Sequence, residues 1–189
     1  MLRDISLVTM RTMNKLRPIL VAEDNPMEIR FFKRAFSQCG IAHHTIFVRD
    51  GQEVIDYLSG VAPFNHRLAY PIPALIILDL TRPRVTGFEV LEWIGRDAAF
   101  SEIPVLAFSG IQLPADICRA YSLGAKLYLS QTSDPNQKTA VLEQLVKIYG
   151  LAHPFGETLA MTPVNPFMAL RPSSSCCEVE ADRVSFPSG

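Results

Sequence analysis

Five short, unbroken apolar runs, each followed by a segment of helical periodicity, limit what this chain can fold into more than any other feature. The runs cover residues 19–22, 45–48, 74–78, 104–108 and 127–129. They are continuous rather than alternating and are bounded by turn residues, the pattern of strands buried on both faces of a parallel sheet. The intervening segments read as helices. Asn25-Pro26-Met27-Glu28 supplies an N-cap, a proline at the first helical position and a glutamate at the capping-box position. Ile29, Phe32, Phe36 and Cys39 then recur at helical spacing until Gly40, with Phe31, Phe32 and Phe36 expected as core and rim. Further helices are predicted over 52–58, 88–96, 114–123 and 135–149. Val90, Leu91 and Ile94 face inward on the third. Leu142, Leu145, Val146 and Tyr149 do so on the last, which Asp134 caps with Gln137 in the box position. Such alternation specifies an α/β fold: a doubly wound, five-stranded parallel sheet with helices on both faces.

The 189 residues suit one domain plus surplus. Residues 17–150 form the domain. Residues 1–16 are an N-terminal extension, with Met13 a second possible start. Residues 151–189 carry five prolines and the run Ser173-Ser174-Ser175, and are expected to be a flexible, largely disordered tail. With 18 basic and 19 acidic residues, the chain is not built to coat nucleic acid or to bind membranes through basic charge. No apolar run approaches the roughly 20 residues of a membrane span. Cys39, Cys118, Cys176 and Cys177 form neither a metal-binding spacing nor a disulfide framework, so a reducing, cytoplasmic setting is expected.

In a doubly wound sheet, ligands bind at the carboxyl ends of the strands, where strand order reverses. The residues that follow the apolar runs are Glu23-Asp24, Arg49-Asp50, Asp79, Ser109 and Ser130-Gln131. Adjacency of strands one, three and four would bring Glu23, Asp24, Asp79 and Ser109 together. Singly, each has an ordinary reading as a helix-start acid, a turn former or a loop opening. Jointly, three carboxylates on one concave edge repel one another unless a cation intervenes. An all-oxygen, partly hydrated site of that kind suits Mg2+. A carboxylate beside the metal would act as a nucleophile towards a phosphodonor, and the Ser109 hydroxyl would help stabilise the transferring group.

The stretches Ile19-Leu20-Val21-Ala22-Glu23-Asp24-Asn25, Leu75-Ile76-Ile77-Leu78-Asp79 through Thr86-Gly87-Phe88, Pro104-Val105-Leu106-Ala107-Phe108-Ser109 and Leu123-Gly124-Ala125-Lys126-Leu127-Tyr128 together resemble the receiver domain of two-component response regulators. The steps of 30 residues from Asp79 to Ser109 and 22 from Ser109 to Gln131 are similar to the spacing in that family. Asp56-Tyr57-Leu58, the long loop through Pro73 and Val90-Leu91-Glu92-Trp93-Ile94 look most like single-domain regulators paired with bacterial phytochrome kinases. The resemblance implies the flavodoxin-like receiver fold. It implies Asp79 as acceptor of a phosphoryl group from a sensor histidine kinase, with Mg2+ held by Glu23, Asp24, Asp79 and the carbonyl of Thr81. Ser109 would follow the phosphoryl group and Tyr128 would move with it as the switch. The output would pass through protein contacts on the face of helix four, strand five and helix five, where relatives dimerise or meet partners.

One position departs from the pattern. The family places lysine where this chain has Gln131, followed by Thr132. Glutamine donates a hydrogen bond but adds no charge, so Glu23, Asp24 and Asp79 sum to -3 without that offset. Lys126 is excluded as a stand-in by strand parity, and Arg82 is a weaker candidate. Two readings follow: an Mg2+-dependent receiver with weakened coupling, or a degenerate receiver that binds partners without phosphotransfer. A stand-alone enzyme is not expected. Phosphatases of the haloacid dehalogenase type carry a second aspartate two residues after the first, where this chain has Thr81, and no Ser–His or Cys–His pairing is placed. His43 and His44 fit a surface or edge role.

Overall fold

The computed structural model describes residues 17–41, 44–81, 85–110, 113–131 and 134–148. Expectations for the extension, the tail with Cys176 and Cys177, His43, Arg82, Thr132 and Tyr149 lie outside those residues. The elements alternate as β1 (Ile19–Ala22), α1 (Pro26–Gln38), β2 (Thr45–Val48), α2 (Gly51–Ser59), β3 (Leu75–Asp79), α3 (Gly87–Arg96), β4 (Val105–Ser109), α4 (Pro114–Ser122), β5 (Leu127–Ser130) and α5 (Pro135–Ile148). All strand pairings are parallel, in the order β2-β1-β3-β4-β5. The order reverses between β1 and β3, and the doubly wound sheet expected from the sequence is what forms.

Two strands sit one residue downstream of their apolar runs. Pro104 has no N–H for the ladder; its carbonyl accepts from Ile76, and β4 begins at Val105. Ala74 likewise only leads in, donating to Pro18 before β3 begins at Leu75. Asp79 and Ser109 are therefore the last residues of their strands, not the first beyond them. Both are held by the sheet ladder, a firmer mount than a loop.

Side chains alternate across the sheet. Leu20, Ala22, Ile76, Leu78, Val105, Ala107 and Tyr128 pack against Val54, Tyr57 and Leu58 of α2, Val90, Leu91 and Ile94 of α3, and Ala120 of α4. Ile19, Val21, Leu75, Ile77, Leu106, Phe108 and Leu129 pack against Phe32, Ala35 and Phe36 of α1 and Leu142, Leu145 and Val146 of α5. Each large apolar side chain buried here contributes about 1.5–3 kcal/mol before entropy is counted. The first core continues under the long connection from α2 to β3. There the Arg67 guanidinium donates to the carbonyls of Tyr57, Leu58 and Tyr70, supplying donors that the end of α2 lacks. Tyr57 donates its hydroxyl to Pro71 at 2.7 Å, and burial pushes that phenol up to about 12. No helix among the described residues is long and apolar enough to cross a membrane.

Candidate functional site

The strand register assembles the carboxyl edge. Ala22 is level with Leu78, so Glu23 leaves β1 abreast of Asp79, and the Glu23 N–H still donates to Val48 at 3.0 Å. Asp79 is level with Phe108, and Ser109 with Ser130; Gln131 then donates its N–H to the Ser109 carbonyl at 2.9 Å. The structure thus brings Glu23, Asp79, Ser109 and Gln131 to one edge. The same parity divides them: Glu23 and Asp79 share the α1/α5 side with Phe108, whereas Ser109 shares the other side with Tyr128.

Asp79 is only 6% exposed. Its Oδ1 accepts from both the N–H (2.8 Å) and the hydroxyl (2.7 Å) of Thr81, and its Oδ2 accepts from Gln131 Nε2 at 3.2 Å. Gly87 lies directly behind: a Cβ there would stand 2.5 Å from the Asp79 carbonyl oxygen and 2.6 Å from Leu80 Cα. Glycine at the start of α3 is what lets that helix close on the strand end.

Glu23 is 2% exposed; its Oε1 accepts from the Asn25 N–H at 2.8 Å, and its Oε2 is sealed from solvent. Asp24 is exposed. Among the described residues, no three His, Cys, Asp or Glu side chains close into a metal cage. The expected cluster of three converging carboxylates is therefore looser than the sequence reading made it, because Asp24 stands out in solvent while Glu23 and Asp79 are buried. The donors that remain are all oxygen, and Mg2+ uses only one or two carboxylates and keeps several waters. The donor set fits that ion without a cage.

On the other side of the sheet Ser109 is fully buried and meets the Tyr128 hydroxyl in a side-chain hydrogen bond. Burial pushes the Tyr128 phenol up, and the Ser109 bond works against that shift. The two residues expected to respond to a phosphoryl group are thus already in contact. Lys126 lies exposed before β5, at the opposite end of that strand from Gln131. Its exclusion stands for a simpler reason than strand parity, since most of a strand length separates the two.

Two site-flanking residues were missed or misread from sequence. Glu28 does not close a capping box. The Asn25 N–H that it would have accepted goes to Glu23, and Glu28 pairs instead with Lys138 of α5 at 3.2 Å. Lys138 is 5% exposed and also donates to the Gln131 carbonyl at 3.2 Å. A signal existed. Glu28 precedes Phe32 by four residues and Lys138 precedes Leu142 by four, so opposite charges stand on the apolar stripes of two helices.

The family model of the response regulator receiver domain matches residues 19–143. The chain belongs to that family. Among curated proteins, it is 33% identical over 111 residues to the probable methanogenesis regulatory protein FilR2 of Methanothrix harundinacea, covering 59% of this chain and 69% of that one. It is 29% identical over 115 residues to the polar-differentiation response regulator DivK of Brucella anthropi, covering 61% and 84%. Among solved receivers, the phosphorylated cyanobacterial phytochrome response regulator RcpA superposes with a TM-score of 0.63 at 28% identity, over 70% of this chain and 93% of that one. Response regulator RPA3017, from red light signalling of R. palustris, does so with 0.66 at 28% identity, over 76% and 100%. This receiver is accordingly a module of two-component signalling.

Proposed function

We propose that this receiver accepts a phosphoryl group on Asp79 from a phosphohistidine of a sensor kinase and passes the signal on through protein contacts. The observation that carries the reading is the seating of Asp79 at the end of the central strand, with Oδ1 held by two Thr81 donors and Oδ2 by one longer bond from Gln131. Oδ2 is the oxygen more readily released, and it is the nucleophile. It forms a bond to phosphorus as the P–N bond breaks; that electron pair stays on the imidazole nitrogen, which takes up a proton. Glu23, Asp24, Asp79 and the Thr81 carbonyl would hold Mg2+, which supplies positive charge to the phosphoryl oxygens when bound. Gln131 then donates to a phosphoryl oxygen, and Ser109 turns its hydroxyl from Tyr128 towards the same group.

Release of that hydroxyl bond frees Tyr128 and so alters the face of α4, β5 and α5, where a second copy or a downstream protein would dock. Phytochrome-type kinases are the first donors to try, since RcpA and RPA3017 belong by name to phytochrome and red light signalling. A second reading rests on the same bond to Oδ2. Gln131 occupies that oxygen without bringing charge, which suits a receiver that binds partners without phosphotransfer. Incubation with Mg2+ and acetyl phosphate, or with a kinase, separates the two. Phosphate on Asp79, absent in Asp79→Asn, is the expected result. No label from either donor sinks the phosphotransfer reading and leaves the binding module.

A further inference from the structure

Lys138 is buried among apolar groups. Its Nζ lies 4.5 Å from the ring centroid of Phe31 and 5.5 Å from that of Phe108, and the side chain is 6% exposed. An ammonium has three donors, and three oxygens surround it: Glu28 Oε1 at 3.3 Å, Glu28 Oε2 at 3.2 Å and the Gln131 carbonyl at 3.2 Å. The pair joins the first turns of α1 and α5. Glu28 balances the charge, so Lys138 does not repay the charge that Gln131 fails to bring. What the pair contributes is position. Gln131 is held by its N–H on Ser109 and by its carbonyl on Lys138, and its side chain reaches Asp79 Oδ2.

We infer that Lys138 and Glu28 form an internal clamp that sets the Gln131 side chain against Asp79, which makes Lys138 a positioning residue of the phosphoryl-accepting site. Stability alone does not call for an ion pair here, because an apolar pair of equal volume is commonly as stable or more so. The clamp holds one end of the β5–α5 turn at the point where family lysine would otherwise anchor itself on the acceptor. Its role in rate rests on the phosphotransfer reading above; its role in holding Gln131 does not.

The test replaces the pair by an isosteric apolar one, Glu28→Met with Lys138→Met, and follows folding, acetyl phosphate labelling and the NMR resonances of the Gln131 side-chain amide. The double variant is expected to melt no lower than the parent. Its Gln131 amide should move to solvent-like positions and its labelling rate should fall roughly 10–100-fold, the range for partners that orient the ligands of a metal site. A folded double variant with amide and rate unchanged would overturn the inference. If the parent itself takes no phosphate, the phosphotransfer reading fails, and the amide resonances alone still decide the clamp. Should the double variant not fold, Glu28→Gln serves: it takes the balancing charge from Lys138, and the Gln131 side-chain amide resonance is expected to shift. An unmoved resonance there also overturns the clamp.

Discussion

Helices α1 and α3 begin with the same spacing and end up with different chemistry. Thr86 and Glu89 close a reciprocal capping box: Thr86 Oγ1 accepts from the Glu89 N–H at 3.3 Å, and Glu89 Oε2 accepts from the Thr86 N–H at 2.7 Å. Asn25 and Glu28 stand equally far apart, yet neither bond of the box forms. Asn25 Oδ1 accepts from Met27 at 2.9 Å, while Glu28 turns away to Lys138. The difference lies in what surrounds each start. Glu89 is exposed, and among the described residues it takes part in no ion pair, so the local partner wins. Glu28 faces a buried ammonium, and Glu23 has taken its place on the Asn25 N–H. A local motif sets a default, and a desolvated charge outbids it, because an unpaired buried charge costs more than a missing cap.

The largest expected effect breaks the α1 side. Glu28→Ala leaves Lys138 buried without its carboxylate and should cost about 3–5 kcal/mol in urea unfolding. A loss below about 1 kcal/mol would mean that Lys138 reaches water on its own. Next in size, Gly87→Ala pushes a methyl group against the Asp79 carbonyl and Leu80 backbone at 2.5 and 2.6 Å. The strand end must shift, which should cost about 1–3 kcal/mol and disturb the Asp79 backbone resonances; a variant as stable as the parent would show that α3 can slide outward freely.

The smallest effect concerns the α3 box itself. Thr86→Ala should cost about 0.5–2 kcal/mol, read from the same unfolding curves. Hydrogen bonds from the Thr86 N–H and, next, its hydroxyl hold the Glu89 carboxyl below its ordinary value. A depressed carboxyl contributes stability above its unfolded pKa and loses it as pH falls through the folded one. Loss of the hydroxyl should therefore move the Glu89 midpoint part of the way back up in an NMR titration. The stability contributed by the Glu28–Lys138 pair should be untouched by Thr86→Ala, so the losses from Glu28→Ala and Thr86→Ala should add; a clear departure from additivity would join two ends that the structure keeps apart.

Much of this was readable beforehand. The five apolar runs located the strands to within a residue; β1, β3 and β4 are buried throughout, which leaves little tolerance for polar side chains, while the edge strands β2 and β5 are only partly buried. Gly40, read as the stop of the first helix, adopts the left-handed backbone that ends it, at φ of 72°. Topology placed Glu23, Asp24, Asp79 and Ser109 at one edge, and the family resemblance added Gln131; Asp24 is the one that turns out to face solvent. The Glu28–Lys138 pair was not placed, because 110 residues separate its members and no local period links them. The contact of Ser109 with Tyr128 was equally hidden, since it depends on which face of two neighbouring strands each residue takes.

Alternation of apolar runs and helical stripes, by itself, determined the parallel doubly wound sheet and the order of its elements, since few other arrangements bury those runs. It also determined which residues come to the carboxyl edge, because strand ends gather there in any such sheet. Tertiary structure decided how those residues are used. It exposed Asp24 while burying Glu23, gave Asp79 Oδ2 to Gln131, and drew Glu28 off its own helix end to Lys138. Those choices depend on desolvation and on distances of about 3 Å between groups far apart in the chain, where a shift of one side chain changes the partner.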